Sequence, residues 1–314
     1  MASSARRGAP QPTNSRSIII PVMGATGAGK SHFINALLRE TGNKEVAIVG
    51  SELSSCTVDL LPVEVAGLTS KYKALENEEV VVVDTPGFDD TKASDLDILK
   101  RIASWLKKAC QEGAMIGGVI YIHDISQDRF SGSARKNLEM FGHLCGDAAL
   151  HKVVLVTSKW ATEGGRDFPA REKELRDTHW RAMLGGQEKA RTMRFDSRYE
   201  GGTAVRIVDG ILRRAAGSSL LTEVLQIQKE LVKDKKYLPQ TKAANALREQ
   251  LEDMIRAQTE MLRMEARAAE GDEEAEAHVR AEERRLQRLT GDVAALRSSL
   301  GQRIKAKLRR MFGQ

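Results

Sequence analysis

Aromatic side chains make up only 4% of the 314 residues, and no apolar run approaches the ~20 residues that a membrane-spanning helix needs. Cysteine is scarce as well. Cys56, Cys110 and Cys145 show no metal-ligand spacing, and any disulfide would leave one thiol over. His32, His123, His143, His151, His179 and His278 form no ligand-like pair. These absences argue against a disulfide scaffold, a zinc module and a membrane-embedded chain, and they predict a reducing, cytoplasmic setting. Residues 1–16 are small, polar and Pro-containing, without the apolar centre of a signal peptide, so a disordered tail is expected there. Acidic excess is lacking too: the net charge is +6. Arg297, Arg303, Lys305, Lys307, Arg309 and Arg310 account for all of it in one terminal stretch without acids. The balanced remainder argues against a nucleic-acid-binding surface.

What is present begins with an apolar run, Ile18-Ile19-Ile20-Pro21-Val22-Met23, followed by Gly24-Ala25-Thr26-Gly27-Ala28-Gly29-Lys30-Ser31. The next residues, His32-Phe33-Ile34-Asn35-Ala36-Leu37-Leu38, read as a helix. A buried strand, a glycine-rich turn and a helix start are the context of a P-loop. There, main-chain amides from Gly24 to His32 face a phosphate chain at the positive end of a helix dipole. Lys30 would reach the outer phosphates, and the Ser31 hydroxyl would take one Mg²⁺ position.

Further along, residues 57–65 read as an edge strand and Val80-Val81-Val82-Val83 as a fully apolar one, joined without a helix and so antiparallel. Strand and helix then alternate. Helices are expected at 95–111, 131–144, 169–184 and 203–215, and strands at 115–122, 152–157 and 191–195. From about residue 218 the pattern changes to narrow apolar seams among charged residues. Leu220, Val224, Ile227 and Leu231 form one seam, and Leu286, Leu289, Val293 and Leu296 belong to another. Gly271 and its acidic neighbours suggest a bend between two long arms, an antiparallel hairpin being preferred to a parallel dimer.

The second diagnostic stretch is Asp84-Thr85-Pro86-Gly87, directly after an apolar strand. An acid at such a strand end can hold the Mg²⁺ shell, and the Gly87 N–H can meet the terminal phosphate. With Ser55-Cys56-Thr57 and Phe88-Asp89-Asp90-Thr91, these motifs resemble the P-loop GTPases of the septin, Era-like and immunity-associated kind, in particular a group of fungal G-domain proteins. The resemblance covers about residues 18–215. It implies that Thr57 is the switch threonine, completing Mg²⁺ coordination, with Ser54 and Ser55 as rivals. Lys30, Thr57 and Gly87 would then carry the chemistry, and Ser31, Thr57 and Asp84 the metal. Two departures bear on activity. Phe88 stands where many relatives place a water-orienting glutamine, which implies weak intrinsic hydrolysis. In the base-recognition stretch Ser158-Lys159-Trp160-Ala161, Ala161 replaces the carboxylate that accepts guanine's hydrogen bonds. Lys159 can still pack its stem on the base, while Trp160 either stacks there or joins the core.

The expectation is thus an α/β, doubly wound, three-layer P-loop NTPase domain over 17–217. Its sheet would be mostly parallel with one antiparallel edge strand, and a helical coiled-coil extension would fill 218–314. The ligands would be GTP or GDP with Mg²⁺. A homodimer through the G domain or the helices, and weak membrane-surface contact by the basic end, are the partner expectations. A nucleotide-bound scaffold without turnover and an ATP-using enzyme are the rivals.

Overall fold

In the computed structural model, which describes residues 17–44, 60–88, 93–160, 167–186, 189–196, 198–217, 219–268 and 273–297, strand β1 (Ile18–Met23) is buried at every position. It leads into helix α1 (Lys30–Glu40), directly after Gly29. Strands β2 (Leu61–Glu64) and β3 (Val80–Asp84) follow and pair antiparallel, as expected. Next come α2 (Asp95–Gln111), β4 (Met115–Ile116), β5 (Val119–Asp124), α3 (Gly132–Cys145) and β6 (Val153–Ser158). Helices α4 (Phe168–Glu174) and α5 (Arg181–Leu184), strand β7 (Arg191–Arg194) and helix α6 (Glu200–Ala216) complete the alternation. Thr57, Cys56, Asp89, Asp90, Ala161, the Gly271 bend, the tail 1–16 and the basic end beyond residue 297 lie outside the described residues.

Among the described residues, seven strands form one sheet in the order β2-β3-β1-β5-β6-β7, with β4 also paired to β1. All pairings are parallel except that of β2. The chain moves to one side of β1 and then to the other, so the order reverses between β1 and β5. In doubly wound sheets ligands sit outside the carboxyl ends of the strands at that reversal. Helices α1 and α6 pack together against Ile18, Ile20 and Val22 of β1. Helix α2 buries Leu96, Leu99, Ile102 and Leu106 at helical spacing. Its start is fixed by Ser94, whose side chain accepts from the Asp97 N–H, with Asp95 and Asp97 in the first turn suiting the dipole.

Two expected elements are broken. The stretch 115–122 is two strands, because Pro21 has no N–H to give on that side of β1. Pairing with β4 stops at Ile19, and pairing with β5 resumes at Val22. The helix expected over 169–184 is interrupted by a π-helical turn, Leu175–His179, between α4 and α5.

The chain divides into two compact units, Met1–Lys235 and Lys236–Gln314. Polar as well as apolar contacts hold residues 225–228 in the first unit. Within the next helical turn, α7 (Gln226–Gln228), Gln228 is 1% exposed, and its amide donates to the Leu106 carbonyl at 3.1 Å. Lys152, 2% exposed, donates to the Ile116 and Glu223 carbonyls at 2.9 and 2.7 Å. The second unit is a hairpin of α8 (Lys242–Ala268) and α9 (Glu273–Leu296). It is antiparallel, since Glu252 meets Arg297 at 2.8 Å while Met261 and Glu282 line one cleft.

Burial holds the Lys152 ammonium down at about 8, against an opposing pull from Glu223. In the unfolded chain the same group sits near 10.5 and binds more protons between those values. Stability contributed here therefore rises with pH from about 8 to about 10.5. Denaturant unfolding at about pH 8 and about pH 10 checks the sign: the wild type should gain more on the alkaline side than Lys152→Met.

Candidate nucleotide-binding site

The site is assembled from strand ends. At the end of β1, Gly24 has φ +141° and comes so close to β5 that a Cβ there would lie 2.2 Å from the Ile122 carbonyl oxygen. No other residue fits that position without moving the sheet. The loop returns to α1 through Gly29, which is left-handed. Lys30 is 7% exposed, and its ammonium donates to the Gly24 and Ala25 carbonyls at 3.0 and 2.9 Å. The chain thus closes its own loop with the cation that the sequence assigns to phosphates.

From β3, Asp84 is 1% exposed, and one of its oxygens accepts from Ser31 Oγ at 2.5 Å. Thr85 Oγ1 donates to the Val22 carbonyl at 2.9 Å, which fixes this strand end to β1. Gly87 then lies against the loop: a Cβ on it would stand 2.4 Å from Thr26 N and 2.7 Å from Thr26 Oγ1. Phe88 follows, buried and apolar. From β6, Ser158 Oγ donates to the Ala28 carbonyl at 2.7 Å, tying the base-recognition stretch to the loop. Strands β1, β3 and β6 thereby bring Gly24 to Ser31, Asp84, Gly87 and Ser158 together.

The remaining predicted residues are placed less directly. The His32 ring turns to α6, where Nε2 meets Glu200 at 2.8 Å. Lys159 has φ +62°, and its ammonium donates to Asp124 at 2.7 Å. The Trp160 indole N–H lies 3.1 Å from both oxygens of Thr157, and the Arg194 guanidinium sits 4.3 Å over its ring. Arg194 is itself held by both carboxylate oxygens of Glu172.

Asp124, at the end of β5, binds the predicted site residue Lys159 and was not singled out from the sequence. Burial pushes its carboxyl up, but Lys159, Ser126 and Gln127 together hold it below the usual range. The signal was available, because Asp124 closes an apolar strand just as Asp84 does. Next to it, burial holds His123 down at about 4 and so neutral, against Asp124 and with help from His179.

Strand order, glycine-rich loop and acid-tipped β3 have the architecture of the P-loop GTPase fold class. Within that class, the family model described as 50S ribosome-binding GTPase matches residues 19–156. No curated protein matches the chain significantly. Toc33 from Arabidopsis thaliana in complex with Mg²⁺ and GMPPNP is a similar solved structure. Its TM-score is 0.48 at 16% identity, over 65% of this chain and 87% of that one. Another covers chloroplast translocon components atToc33 and psToc159, for which dimerization is stated to be important for GTPase activity. It has TM-score 0.48 at 14% identity, over 67% and 88%. Elongation factor SelB from Methanococcus maripaludis with a GTP analogue reaches 0.40 at 11%, over 68% of this chain and 36% of that one.

Gly87→Ala should force Thr26 and the β3 end apart, costing about 1–3 kcal/mol of stability. Urea unfolding of the nucleotide-free protein measures it, and an unchanged midpoint would contradict this packing.

Proposed function

We propose that the G domain binds a guanine nucleotide with Mg²⁺ and removes its terminal phosphate slowly, serving as a nucleotide-state switch or assembly factor. The observation that carries this reading is the meeting of Ser31 Oγ and Asp84, a hydroxyl and a carboxylate 2.5 Å apart beside the loop that Lys30 closes. Two hard oxygen donors, one at a helix start and one at a strand end, suit Mg²⁺. When bound, the ion neutralises charge on the outer phosphates. Lys30 exchanges the Gly24 and Ala25 carbonyls for phosphate oxygens, and the amides from Gly24 to Ser31 hold the rest. Thr57 would complete the metal shell, and Gly87 would report the third phosphate through its N–H. The spelling of the loop and of the Asp84 stretch favours the septin, Era-like and immunity-associated kind.

Base recognition is the modified part. Ser158 anchors the stretch and Lys159 offers its stem. Trp160 already has its indole N–H on Thr157 and Arg194 on one face, which favours a packing role. With alanine at 161, the nucleotide keeps its phosphate contacts with the cradle, but the guanine base loses a paired acceptor. Preference over adenine is therefore modest.

A second reading rests on Phe88, which is buried and cannot orient water. On that reading the protein is a nucleotide-held scaffold assembling through its helical hairpin or its G domain. Among the described residues no helix is long and apolar enough to cross a membrane.

Lys30→Ala should abolish detectable triphosphate binding by calorimetry while the circular dichroism spectrum stays unchanged. Competition of GTP against ATP should show a modest guanine preference, and Ala161→Asp should widen it by about tenfold or more. Single-turnover phosphate release separates switch from scaffold, and no release at any protein concentration would favour the scaffold.

A further inference from the structure

One hydroxyl in the phosphate loop is left over by the roles above. Thr26 Oγ1 is inaccessible to solvent and, among the described residues, has no hydrogen-bond partner. Burying a hydroxyl without a partner is costly, so such groups are rare unless something absent from the folded chain satisfies them. Its position narrows the choice. A Cβ on Gly87 would stand 2.7 Å from Thr26 Oγ1 and 2.4 Å from Thr26 N, so hydroxyl and amide both lie on the wall that the loop shares with Gly87. That wall is where the third phosphate is read in the function proposed above. The neighbouring side chain, Phe88, is buried and has no polar atom to offer.

We infer that the Thr26 hydroxyl donates a hydrogen bond to a terminal phosphoryl oxygen, making Thr26 a side-chain sensor of triphosphate over diphosphate. This rests on the nucleotide-binding reading and adds a determinant to it. The main-chain amides of a P-loop hold the inner phosphates whatever the side chain at this position. A hydroxyl beside Gly87 contributes only when the third phosphate is present. In the nucleotide-free protein the same hydroxyl is an unsatisfied group, so its removal should stabilise the empty fold. Ligand preference and empty-state stability therefore move in opposite directions at one atom.

The test compares the full chain with Thr26→Val, which keeps the shape and removes the hydroxyl, and Thr26→Ser, which keeps the hydroxyl. Calorimetry with Mg²⁺ and either GTPγS or GDP gives the two affinities. Thermal unfolding without nucleotide gives the other readout. Thr26→Val should weaken GTPγS binding about tenfold to a hundredfold, leave GDP binding within about twofold, and raise the Tm of the empty protein. Thr26→Ser should keep the wild-type ratio of the two affinities. Equal losses for both nucleotides, an unchanged GTPγS affinity, or a lowered Tm in Thr26→Val would each overturn the inference. Absence of binding to either nucleotide by the wild type would instead remove the function it rests on.

Discussion

Close approach of main chain to main chain is the constraint on which this site depends. The turn after β1 touches the β5 backbone at Ile122, and the turn after β3 touches the loop at Thr26. Both contacts leave no room for a side chain, which is why glycine occupies Gly24 and Gly87. Main-chain amides can be gathered into a phosphate-sized cradle only if three strand ends are held at such distances. The hydroxyls of Thr85 and Ser158 do the holding, each donating to a carbonyl of β1 or of the loop that follows it. Small polar groups fix the register of the cradle, while the apolar strands behind it supply stiffness.

Charge is arranged around that frame so that Lys30, Asp84 and Asp124 each meet polar partners. The Lys30 ammonium is met by two loop carbonyls, and the Asp84 carboxylate by a serine hydroxyl. Asp124 draws in Lys159, Ser126 and Gln127. Burying an ion is expensive unless its bonds are complete. In the function proposed above, the Lys30 and Ser31–Asp84 contacts are those that a polyanion and a divalent cation would replace.

Most of the fold could be read from residue order, because strands β1, β3, β5 and β6 are rich in β-branched residues and helices such as α2 and α6 keep apolar spacing. The antiparallel β2–β3 pair and helix α2 follow from such patterns directly. What failed was governed by partners far away in sequence. The break between β4 and β5 reflects a missing donor on Pro21, a residue of a different strand. The π-helical turn at Leu175–His179 leaves no mark in local periodicity. In the candidate site, the motif spacing read from the sequence does bring Ser31 to Asp84 and Gly87 to the loop. Asp124 was not legible, because its meaning depends on Lys159, 35 residues away. The Glu200 contact of His32 escaped for the same reason, lying 168 residues distant.

The stretch between α6 and Lys235 has a consequence for how small the first unit can be made. Gln228 caps a carbonyl of α2, and the Glu223 carbonyl caps the buried Lys152 just before β6. Trimming the chain at residue 217 would strip those two lids and leave an acceptor and a cation facing solvent through a torn floor. The first compact unit, up to Lys235, is thus closed by polar contacts at the strand ends away from the glycine-rich loop.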